Sequence, residues 1–310
     1  MKRITLFFIW ISSFVTSLCQ GQSYDTLVVK DSTHHIKMMA YPNENNLYLY
    51  ATPKIYTFLQ YLPRTYQGAA KISIGKNSIK GWAVMAGSTA ILLVFDQQIS
   101  DAVQQFSAHI GLNPDRAYKS FVPFKIGDKN SSLYEVPDNL NSVIYSVGEG
   151  VPSLLISAGL LTYGSIKNDY RSISTASQIM QATLAMGITT QILKRMSGRE
   201  SPFAATQPGG VWHPFPNLKT YQESVSSHDA FPSGHIGTMM ATTVVIAANY
   251  PEKKWIKPVG YTMMSLVGLA MINNGVHWAS DYPLAIGLGY VFGHATVKMN
   301  RLMKESWKRK

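Results

Sequence analysis

Five apolar stretches follow one another late in the chain, near residues 141–164, 174–194, 235–249, 258–276 and 282–298. Each is too long for an ordinary strand, and each has the length of a packed helix. Successive helices of this kind bury their faces on one another, which predicts an all-α helical bundle. An earlier apolar segment, Trp82 to Phe95, is closed by Asp96 and brings the expected core to about six helices. The stretch from there to Leu140 is more polar and is punctuated by Pro114, Pro123 and Pro137. One connection is unusual. The link from Glu200 to Phe231 is rich in Pro, Gly, Ser and aromatic residues and exceeds a normal helix joint, which marks it as functional or disordered.

The N-terminus points to export. Lys2 and Arg3 precede an apolar run from Ile4 to Leu18 and then a small polar stretch, the pattern of a secretory signal peptide, taken here as 1–21. An uncleaved N-terminal anchor is the alternative. The one cysteine, Cys19, falls at the cleavage region, so the mature chain would carry no disulfide. Residues 22–80 read as an extension with a short strand over Thr26 to Lys30 and a surface helix within 53–72. A helical domain spans 81–300, and 301–310 is a basic, solvated tail. With 15% charged residues and 46% hydrophobic ones, the chain is not expected to be disordered except at its ends. The net charge of +11 suits phospholipid headgroups, phosphorylated metabolites or nucleic acid equally, so charge alone selects no partner.

Three clusters carry chemistry. Phe231-Pro232-Ser233-Gly234-His235 stands directly before an apolar run. A helix beginning at Ser-Gly offers free backbone N–H groups and the positive end of its dipole to an anion. His235 lies in that first turn and can exchange a proton near neutral pH. Read alone, it is also compatible with a capped helix and an incidental histidine. His277 and Asp281 stand four apart in Gly275-Val276-His277-Trp278-Ala279-Ser280-Asp281 and share a face if helix continues through them. The carboxylate would then fix the imidazole tautomer and free the other nitrogen as a nucleophile; a surface ion pair is the plainer alternative. Lys194-Arg195-Met196-Ser197-Gly198-Arg199-Glu200-Ser201-Pro202 closes an apolar helix, where cations are favoured in any case. It also opens the long link toward His235, and phosphate needs such cations.

The order and spacing of these clusters resemble the signature of the superfamily joining type 2 phosphatidic acid phosphatases and vanadium haloperoxidases, over about residues 141–298. That pattern is Lys, six residues, Arg-Pro; then Pro-Ser-Gly-His; then Ser-Arg, five residues, His, three residues, Asp. The resemblance implies that Lys194, Ser233 and Gly234 bind phosphate, that His235 is the general acid, that His277 is the nucleophile and that Asp281 orients it. It also implies an all-α bundle of the phosphatidic acid phosphatase or haloperoxidase type. This sequence departs from the pattern twice. Ser201 stands at the first arginine, and Ala270-Met271 replaces Ser-Arg. Arg199, two residues before Ser201, is the expected substitute for a lost phosphate ligand.

The resemblance implies a phosphohydrolase for phosphate monoesters or diphosphates, lipid-linked by preference, working through a phosphohistidine without metal or cofactor. Expected partners are a phosphorylated lipid or small phosphate ester and a membrane, not nucleic acid. The expected place is the periplasmic side of the cell envelope, with the chain membrane-associated or membrane-embedded. A non-catalytic binding or scaffold protein is the alternative that the two missing arginines suggest. A vanadate-dependent haloperoxidase is the third reading, with vanadate in the same anion site.

Overall fold

The computed structural model describes residues 13–19, 29–30, 37–43, 46–51, 57–120, 123–126, 129–132 and 135–308. Helix accounts for 74% of it, as the all-α expectation requires. The strands are minor. β1 (Val29–Lys30), β2 (Lys37–Asn43) and β3 (Asn46–Ala51) form an antiparallel sheet with β2 in the middle. Two short hairpin-like pairs precede the bundle: β4 (Tyr118–Ser120) pairs β7 (Glu135–Pro137), and β5 (Pro123–Ile126) pairs β6 (Lys129–Ser132).

The helices are α1 (Thr57–Gln60), α2 (Leu62–Ile74), α3 (Ser78–His109), α4 (Leu140–Gly148), α5 (Gly150–Lys167), α6 (Tyr170–Ser197), α7 (Leu218–Glu223), α8 (Gly234–Asn249), α9 (Ile256–Asn273) and α10 (Tyr282–Lys308). At the centre lies α8, packed against α6, α9 and α10. It buries Ile236, Met240, Val244, Val245 and Ile246 on several sides, as a helix apolar all round must. Its approach to α10 is close because glycine allows it. A side chain at Gly289 would run into the Gly237 carbonyl, and one at Gly293 would meet Val244.

Several boundaries differ from those expected of the sequence. The helix expected at the surface within 53–72 is α2, which packs one face inward through Thr65, Gly68 and Ala69 and exposes Pro63, Arg64, Gln67 and Lys71. Thr65 Oγ1 accepts from Gln181 Nε2 at 2.6 Å and lies 3.3 Å from Thr296 Oγ1, which ties α2 to α6 and α10. The segment expected to close at Asp96 instead runs on through α3 to His109. Asp96 does not end the helix, because its carboxylate is turned inward to partners on the bundle. On its other side α3 exposes Ile79, Val84, Ile91 and Val94. It is the one single helix among the described residues long and apolar enough to cross a membrane. The stretch near 141–164 is two helices, α4 and α5, bent by 62° at Glu149, and together they pass the same test.

Of the expected signal peptide, residues 1–12, 20 and 21 lie outside the described residues. Residues 13–19 are helical, and Val15 and Leu18 are buried in a cluster with Ile156, Leu160 and Val245. Of the expected basic tail, the backbone of α10 continues to Lys308 and residues 309–310 lie outside.

Candidate active site

The ends of α6, α8 and α9 meet at one end of the bundle and bring the three sequence clusters together. At the close of α6, Gly198 adopts a left-handed conformation (φ 57°) and its amide returns to Lys194 O at 2.8 Å. Only glycine serves here, because a side chain would strike the His213 carbonyl. Lys194 is thereby held with its ammonium nearly buried, 3.2 Å from Asp229 Oδ2.

At the start of α8, Ser233 is the N-cap, its Oγ accepting from Ile236 N at 3.5 Å. Its own amide donates to Asp281 O at 3.1 Å, which joins the second cluster to the third. The amides of Gly234 and His235 begin the helix, where no carbonyl of the helix itself can reach them. The ring of His235 lies 5.0 Å from that of Tyr145 on α4 and 6.0 Å from that of His277. His235 keeps part of its surface open. Burial of the remainder pushes its pKa well below the ordinary value, and the neighbouring His277 ring and the Lys194 and Arg116 charges push it the same way.

Helix does not continue through His277. Gly275 takes a left-handed conformation (φ 66°), and His277 sits in an open link before a single tight turn over Ala279–Asp281. The pair with Asp281 forms all the same, through that turn rather than a helical face. Asp281 Oδ2 accepts from Trp278 N at 2.8 Å and lies 3.2 Å from His277 Nδ1. Asp281 also accepts from Arg199 Nη1 at 2.7 Å, so its carboxylate faces a fixed cation and takes the His277 Nδ1 proton as a hydrogen bond. That leaves a lone pair on Nε2.

Arg199 holds a different position from the one expected of it. Its guanidinium is fully buried between Trp212 and Trp278, at 4.9 and 5.3 Å. Nη1 donates to Ser280 Oγ (2.6 Å) and Asp281 Oδ1, and Nη2 to Asp96 Oδ2 (2.7 Å) and Gly209 O (2.9 Å). A guanidinium so committed is a brace for Asp281, not the free cation expected beside Ser201. Met271 is fully buried in an apolar cluster with Tyr145, Ile236 and Val267.

The long link is ordered by Glu200, whose carboxylate accepts from the amides of Thr206 and Val211 and from Thr206 Oγ1. His213 Nε2 lies 3.2 Å from it, which makes His213 a structural residue of the loop. Among the described residues no cluster of His, Cys, Asp and Glu could hold a metal ion. The apolar groove beside Leu154, Leu184 and Ile188 lies along α6 and includes none of the site histidines.

Residues 176–303 match the family model described as the PAP2 superfamily. This segment of the chain is similar to that superfamily. It contains all three clusters, and its first residue lies near the start of α6. The chain is also similar to lipid A 1-phosphatase of Porphyromonas gingivalis, with 23% identity over 205 residues, 63% of this chain and 42% of that protein. The aligned part therefore spans less than half the length of that relative. No solved structure matches the chain. The PAP2 segment begins after Asp96, Arg116 and Tyr145, so the part of the site built by α3, the α3–β4 link and α4 lies outside it.

Proposed function

We propose that this chain is a phosphohydrolase that cleaves phosphate monoesters or diphosphates through a phosphohistidine on His277. The observation carrying the reading is the His277–Asp281 pair facing His235 across a 6.0 Å ring separation, at the opening turn of α8. Lys194 adds a cation whose charge is felt at His235. The Gly234 and His235 amides supply donors for the phosphate oxygens.

In this mechanism the Nε2 lone pair of His277 attacks phosphorus in line, and the bond from phosphorus to the leaving oxygen breaks. The leaving oxygen takes a proton from His235. Water then attacks the phosphohistidine, gives its proton to His235, and releases phosphate with the Nε2 lone pair restored. His235 is neutral in the empty site because burial lowers its pKa. An incoming phosphate brings negative charge that raises it again and loads the acid. No metal or cofactor is needed for these steps.

A phosphorylated lipid is the favoured substrate. The similar Porphyromonas gingivalis protein carries lipid A in its name, and the outer side of α3 is apolar and exposed. The same features support a membrane-associated protein, and the Lys2–Leu18 pattern supports export to the periplasmic side. Purified full-length chain should release phosphate from a panel of lipid phosphates, isoprenyl diphosphates and soluble esters. The variant His277→Ala should abolish turnover of a chromogenic phosphate ester; undiminished turnover eliminates the mechanism.

A second reading is favoured by the burial of Met271 in an apolar cluster, where the PAP2-type pattern places arginine. A bundle that kept its shape but lost its phosphate grip would bind without catalysis. Turnover at background in the natural chain, appearing when Ser201→Arg and Met271→Arg are combined, would select that reading.

A further inference from the structure

We infer that Arg116, in the link between α3 and β4, is a phosphate-binding residue of this site and takes over the role left open at Ser201 and Met271. The inference rests on the proposal that the site receives a phosphate.

The charges around the histidines are unevenly engaged. Lys194 is paired with Asp229, and Arg199 is enclosed by Asp96 and Asp281. Arg116 has no carboxylate within ion-pair distance among the described residues, and it is exposed to solvent. Its guanidinium lies over the Tyr145 ring, 5.7 Å from the ring centre, and that same ring is 5.0 Å from His235. Tyr145 also belongs to the cluster that encloses Met271. The one aromatic ring thus adjoins the position that lost an arginine, the first histidine of the site, and a guanidinium from elsewhere in the chain. The Arg116 guanidinium also hydrogen-bonds the Tyr145 side chain, and resting on the aromatic face it keeps the remaining donors of its planar fork at the edge.

The backbone on either side of Arg116 is fixed. Asp115 O accepts from Asn139 Nδ2 at 2.7 Å and from Ser142 Oγ at 3.4 Å. Ala117 N donates to Ser142 Oγ at 3.1 Å, and Ala117 O accepts from Asp138 N at 2.8 Å. Asn139 is the N-cap of α4, which carries Tyr145. The link is therefore fastened to the very helix that flanks His235, so Arg116 begins from an ordered backbone and only its side chain need settle on the ligand. The effect of its charge on His235 agrees with this placement. A carboxylate of the same corner, Glu149, takes a hydrogen bond from Tyr118 Oη at 3.4 Å.

Binding of orthovanadate, a mimic of phosphate, to the full-length chain tests this by titration calorimetry. Arg116→Ala should raise the dissociation constant by about ten- to hundredfold, the loss expected of a hydrogen bond to a charged group. Arg116→Lys should recover part of it, because it restores charge without the fork. Lys119→Ala, which removes an exposed cation paired with Asp138, should leave binding within about twofold, since an exposed charge outside the site is screened. Equal affinity in Arg116→Ala and the natural chain overturns the inference, even if His277→Ala abolishes turnover and so upholds the hydrolase. Weakened binding in Arg116→Ala with no turnover in the natural chain upholds Arg116 and removes the hydrolase. A natural chain that does not bind orthovanadate overturns both.

Discussion

His235 stands at the junction of three contacts, with Tyr145, with His277 and with the electrostatic reach of Lys194. Its pKa falls from 6.5 to about 3, first because burial withholds water and then because positive neighbours oppose a further charge. Between those values the unfolded chain holds a proton that the folded chain refuses, so stability declines as pH drops through about 6.5 toward 3. Denaturant midpoints at pH 7.5 and 5.0 should therefore differ, and His235→Asn should narrow the difference; an unchanged pH response would show that other groups set it. The same residue is legible in the sequence because Pro-Ser-Gly-His precedes its helix, and a cap is a local event. His277 with Asp281 is legible for a similar reason, although a left-handed Gly275 replaces the expected helical face. Arg199 misleads. It stands beside a motif and reads as a free cation, yet its partner Asp96 lies 103 residues earlier, and no local pattern announces such a meeting. Arg116 and Tyr145 are hidden for the same reason.

Among the elements, the apolar periods locate α6, α8, α9 and α10 because a helix that must be buried shows it along its own length. The end of α3 is not visible in that way. A carboxylate after an apolar run reads as a stop, whereas Asp96 is carried inside by Arg199 and by the Ser280 amide at 3.0 Å. The break between α4 and α5 is equally hidden, since both halves are apolar and the bend falls at Glu149. The contact of α8 with α10 depends on missing side chains. Gly289→Leu should force the two helices apart at the Gly237 carbonyl and cost about 1–3 kcal/mol, the usual penalty of overpacking. Thermal melts would measure it. Because α8 opens with His235 and α10 follows Asp281 directly, turnover should fall with stability; a stable variant of full activity would show that the spacing is not transmitted to the site.

Over the whole molecule, the buried brace of Asp96, Arg199, Ser280 and Asp281 links α3 to the turn that holds His277. Asp96→Ala should lower the unfolding free energy by about 3–5 kcal/mol, since it leaves half of a buried guanidinium unanswered. Chemical denaturation gives the value, and a loss under about 1 kcal/mol would mean that water repairs the gap. Asp96 sits on a helix that shows its opposite side to the surroundings. A chain trimmed to 176–303 would retain every recognisable signature and still lack Asp96, one of the two anions that hold Arg199. The matched segment 176–303 thus borrows a counter-charge from outside itself, and a change in the surroundings of α3 has a direct mechanical route to His277.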